Sequence, residues 1–72
     1  MQIPRPYYAT HFDKVTQVLK SVLVWCRSEQ IAKDFSAKYL GADNADDLDL
    51  FVKADVETQK RAEENKSRVL FV

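Results

Sequence analysis

Between Thr10 and Cys26 the apolar residues Phe12, Val15, Leu19, Val22, Leu23 and Cys26 recur at spacings of three and four. At about 100° per residue they share a stripe roughly 100° wide, which predicts an amphipathic helix over residues 11–26. Its start reads as a capping box, Thr10-His11-Phe12-Asp13, with Asp13 in place of the usual Glu or Gln. Within it, Ser21–Cys26 (SVLVWC) also suits a buried strand, being β-branched and almost uniformly apolar. The helix is preferred because Val22 and Cys26 keep the phase set by Phe12, Val15 and Leu19.

The phase is lost at Glu29 and Gln30. A second helix is expected over 28–40, with Ser28 as its cap, Ile31, Ala32, Phe35, Tyr39 and Leu40 on a broad face, and Gly41 as its left-handed stop. A third helix is expected over 45–66. Asn44-Ala45-Asp46-Asp47 resembles another cap, and Leu48, Phe51, Val52, Val56, Gln59 and Ala62 hold one face. The competing reading is a strand at 47–54, where Leu48, Leu50, Val52 and Ala54 alternate with polar residues. Pro4 and Pro6 make residues 1–9 an extended arm, which Ile3, Tyr7 and Tyr8 render sticky.

The expected fold is therefore all-α: three short helices, an extended arm and an apolar tail ending in Val72. The alternative is a small α+β domain with strands near 21–26, 47–54 and 68–72. The single glycine, Gly41, supports helices, since turn-rich sheets use glycine repeatedly and average usage would give about five.

Seventy-two residues make one small domain whose core is barely sufficient by itself. A lone cysteine excludes an internal disulfide, and one cysteine with one histidine does not make a structural zinc site. Association, as a homodimer, is the expected remedy. Lysine plus arginine and aspartate plus glutamate are both 11, but residues 1–40 carry six basic against three acidic groups, and residues 41–72 eight acidic against five basic. Neither half resembles the basic stripe that drives nucleic-acid binding. The longest apolar run, Val22–Cys26, is far short of the roughly 20 residues that span a bilayer. The first residues, MQIPRPYYA, contain no signal-peptide pattern, so a cytoplasmic location with a free Cys26 thiol is expected.

Chemical motifs are missing. His11 and Cys26 would lie roughly 22 Å apart on one helix, against the 3 Å or so that a nucleophile and base require. A calcium loop starting at Asp43 would need glycine and glutamate where Leu48 and Ala54 stand. The acidic run Asp43–Asp49 reads instead as helix-dipole complementation. SEQIAKDF resembles the first helix of a helix-turn-helix, but the following NADDLDLF would aim carboxylates at phosphates.

What remains is surplus apolar surface. Val18 and Trp25 flank the main stripe, and Tyr7, Tyr8 and Phe71 add aromatic anchors of the kind found at interfaces. These five residues are the candidate protein contacts. The expected function is non-enzymatic: a small regulator or inhibitor that occupies a surface of a larger protein, possessing no metal or cofactor, with a small nucleic-acid-binding regulator as the alternative. Small inhibitors encoded by phages and mobile elements share this profile.

Overall fold

The computed structural model describes residues 3–72. It is an α+β fold, 37% strand and 34% helix, in place of the all-α arrangement expected from periodicity. Strands β1 (Arg5–Asp13) and β2 (Val18–Cys26) form an antiparallel hairpin, followed by helix α1 (Glu29–Leu40) and one 3-10 turn at Ala45–Asp47. Strand β3 (Leu50–Lys53), helix α2 (Val56–Glu64) and strand β4 (Arg68–Phe71) complete the chain. The sheet order is β3-β1-β2-β4, with β3 antiparallel to β1 and β4 parallel to β2.

The expected helix over 11–26 is thus the second half of β1, a turn and β2. Asp13 does receive amide N–H groups, as a capping residue would, but they belong to Val15 (2.8 Å) and Thr16 (3.4 Å) of the turn. An Asx-type turn uses the same side-chain chemistry as a helix cap, so the local signal could not separate them. Gln17, in the left-handed region at φ 56°, closes the loop and starts the return strand. The arm expected over residues 1–9 is, from Arg5 onward, a central strand; Met1 and Gln2 lie outside the described residues.

α1 occupies the segment where the second helix is expected. Ser28 accepts from the Ile31 N–H at 3.4 Å, and Gly41 takes a left-handed φ of 83° at its end. The third expected helix, 45–66, is broken into the 3-10 turn, β3 and α2; Asp55 caps α2 through the Thr58 N–H at 2.7 Å. The strands at 50–53 and 68–71 fall within those of the α+β alternative.

Alternation assigns the two faces. Tyr7, Ala9, Val22, Val24 and Cys26 lie under α1, packed with Ala32 and Leu40 and edged by Phe35, Leu48, Phe51 and Leu70. Tyr8 and Leu23 point the other way, toward Ala54 and Ala62 at α2. The β2-α1-β3 crossover runs one way across β1, and β3-α2-β4 runs back across β1 and β2. Helices on opposite faces follow when both crossovers share a hand.

One joint depends on a substitute donor. The register continues Tyr7↔Lys53 to Pro6 opposite Ala54, and the Ala54 N–H donates to the Pro6 carbonyl at 2.9 Å. The reciprocal bond needs an N–H that proline lacks. The Gln59 side-chain amide of α2 donates to the Ala54 carbonyl instead, at 3.1 Å.

Candidate interaction surface

α2 has nine residues and is about 13 Å long and 10 Å across. β1 and β2 have nine residues each, about 30 Å. The helix enters beside Pro6 and leaves at Ser67, whose hydroxyl is hydrogen-bonded to that of Ser21. Pro6 is level with Trp25 and Ser21 with Thr10, so α2 crosses its face diagonally and leaves two corners open. One corner carries Phe12, Leu19, Leu50 and Val52, all exposed to some extent. The other carries Trp25, Val69 and Phe71, beside Val72.

The second corner holds the most exposed aromatic side chain among the described residues. Phe71 is 79% accessible although its ring stacks on Trp25, with centroids 6.2 Å apart and planes at 17°. β4 is also an edge strand, so one side of its backbone has no strand partner among the described residues. The sequence-predicted contacts therefore divide. Trp25 and Phe71 come together, while Tyr7 and Tyr8 are buried on opposite faces of β1, Tyr7 stacked on Phe51 at 5.5 Å. Val18 is half exposed at the far end of β2, roughly 24 Å of strand from Trp25 and on the opposite face. Seven residues apart means one flank on a helix but opposite faces on a strand. Val69, Leu50 and Val52 were not among the predicted contacts; the alternation in 47–54 is the signal that marks the last two.

The acidic cleft beside the 3-10 turn offers less chemistry. His11, Asp13, Lys14, Asp43, Asp47 and Asp49 line a cleft of about 440 Å³ beside the 3-10 turn. Two of its four carboxylates, those of Asp13 and Asp49, serve the backbone. Asp49 accepts from the Phe12 N–H and itself donates through its own N–H to the Thr10 carbonyl at 2.9 Å. His11 Nδ1 donates to the Asp47 carbonyl at 3.2 Å. The Asp13 carboxyl is held below the ordinary aspartate range, first by the Val15 N–H and then by that of Thr16. Among the described residues no group of three His, Cys, Asp or Glu side chains is placed to hold a metal ion. His11 and Cys26 share a face of the hairpin yet are separated by six strand residues, about 20 Å. The helix-turn-helix expectation fails at its second helix, because NADDLDLF forms the 3-10 turn and the start of β3. No helix among the described residues is long and apolar enough to cross a membrane.

Comparison with family models, curated proteins and solved structures finds no match to this chain.

Proposed function

We propose that this chain is a non-enzymatic protein-interaction module, a regulator or inhibitor that occupies a surface of another protein in the cytoplasm. Its contact surface is the free β4 edge with the Trp25–Phe71 stack. The observation that carries the reading is the exposure of Phe71 on an unpaired edge strand. Natural edge strands are usually guarded by charge, proline or a covering element. β4 has one charged residue, Arg68, at its start, and then Val69, Leu70 and Phe71.

When that protein is absent, the occupant that best fits this edge is a second copy, so self-pairing reads out the same surface. Antiparallel pairing centred on Leu70 sets Val69 opposite Phe71 of the second copy and keeps like faces together. The apolar area of the corner is on the order of 300 Å² per copy. A standard interface takes about 800 Å² per partner, so the main-chain bonds of strand addition must carry much of the affinity. The expected assembly is therefore a reversible dimer, in the micromolar range or weaker.

Light scattering across a concentration series tests this. Phe71→Asp and Val69→Lys should each remove the dimer. Val56→Ser, which removes an exposed apolar side chain of α2 away from the edge, should leave it unchanged. A wild-type chain that stays monomeric up to millimolar concentration, or dimerises equally well with Phe71→Asp, overturns the edge assignment.

A further inference from the structure

A second cleft, of about 560 Å³, opens where the C-terminal ends of α1 and α2 meet β2 and the start of β4. Lys20, Lys66 and Arg68 line it together with the hydroxyl-bearing Ser21, Ser67 and Tyr39, and no carboxylate lines it. Of these three cations only Lys20 has an acidic partner among the described residues, Asp13 at 4.0 Å. The chain is neutral overall, yet this cleft gathers three cations while the cleft beside the 3-10 turn gathers four aspartates.

We propose that this cleft binds a phosphomonoester group. Lysines near helix C-termini ordinarily complement the helix dipole, and that role must be subtracted first. Two C-termini bring about one negative charge between them. The three cations exceed it by about two, and Asp13 beside Lys20 offsets part of that, leaving about one to two positive charges to meet the charge of about −1.5 to −2 on a phosphomonoester at neutral pH. The hydroxyls supply neutral donors for its oxygens.

The backbone adds an independent observation. Both helices end in the same motif: the Ala42 N–H donates to the Ala37 carbonyl, and the Ser67 N–H to that of Ala62, each at 2.8 Å. This motif needs a left-handed residue, most often glycine. α1 uses Gly41, but α2 uses Lys66 at φ 57°, a conformation that disfavours side chains. A cation thus stands at the cleft in a position where glycine would suit the fold better.

That conflict supplies the test. Lys66→Gly should fold, raise the thermal midpoint and yet weaken phosphate binding about threefold, a loss that unfolding cannot explain. Amide shifts in NMR spectra would be followed during titration with inorganic phosphate, and separately with glycerol phosphate, at constant ionic strength and pH 7.5. Saturable shifts at Ser21, Lys66, Ser67 and Arg68 are expected, with Asp43–Asp49 unmoved. Adding Arg68→Gln to Lys66→Gly should bring the loss to about tenfold, whereas Lys60→Gln, outside the cleft, should leave the titration unchanged. Tighter binding of glycerol phosphate would assign the group to an organic phosphate, and equal binding to the free ion. Shifts that chloride reproduces, that do not saturate, or that survive Lys66→Gly undiminished overturn the proposal. The reading is independent of the β4 edge and falls or stands alone.

Discussion

Replacing Gln59 with methionine keeps the length and helix preference of the side chain but removes the amide that donates to the Ala54 carbonyl. Ala54 is 7% exposed, and Pro6, opposite it, has no N–H to offer in exchange. An orphaned buried acceptor costs about 1–3 kcal/mol, and partial access of water to this bond argues for the lower half, about 1–2 kcal/mol. For a domain of this size that corresponds to a fall in thermal midpoint of roughly 5–10 °C. The sharper measurement is a double-mutant cycle with Pro6→Ala, which restores a main-chain N–H facing Ala54. In that background Gln59→Met should cost under about 0.5 kcal/mol, leaving a coupling of about 1 kcal/mol. Urea unfolding followed by circular dichroism gives all four free energies, with equal slopes required for the comparison. If Gln59→Met costs the same in both backgrounds, Gln59 does not stand in for the missing proline donor, and the account of this joint is wrong.

Ser36 is fully buried in α1 and its hydroxyl has no hydrogen-bond partner among the described residues. Ser36→Ala should therefore stabilise the protein by about 1 kcal/mol, through removal of an unsatisfied group and better helix preference; a clear loss in chemical denaturation would show that the hydroxyl is bonded after all. Asp13 and Asp55 both sit below the ordinary aspartate pKa, held there chiefly by the N–H groups of Val15 and Thr58 respectively. Because the folded values are depressed, their contribution is fully present above the unfolded value of about 3.9 and is lost as pH falls through the lower folded values. The variant carrying Asp13→Asn and Asp55→Asn should accordingly show a flatter decline of stability below about pH 5, measured by urea unfolding at stepped pH, and an unchanged slope would contradict the assignment.

Parts of this fold were legible because the signal is local. Ser28 and Gly41 bracket α1 by capping chemistry that needs no knowledge of the rest of the chain. The hairpin was hidden for a physical reason. Helices cover the middle of both sheet faces, so Tyr7, Tyr8 and Ala9, and likewise Val22, Leu23 and Val24, are buried in succession. A strand buried on both faces loses its period of two. Beyond that buried middle, Phe12, Val15 and Leu19 are exposed at or beside the hairpin turn, and their spacing completed an accidental helical stripe. Asp13 reinforced the error by receiving amide N–H groups as a helix cap would.

The candidate surface shows the same division between composition and geometry. That apolar residues outnumber the places to bury them can be read from a 72-residue chain with no disulfide. Where the surplus emerges depends on long-range pairing. Trp25 and Phe71 are 46 positions apart and meet only because β4 returns parallel to β2. Trp25 and Val18 look adjacent on a wheel and are separated by the strand geometry. The diagonal of α2 then selects which apolar residues remain exposed, since a nine-residue helix crossing from Pro6 to Ser21 shelters Tyr8 and Leu23 and leaves Val69 and Phe71 open. An α2 laid along β2 and β4 instead would cover that corner and remove the contact surface. The direction of this helix across the sheet is therefore as much a determinant of the proposed interaction as the aromatic residues themselves.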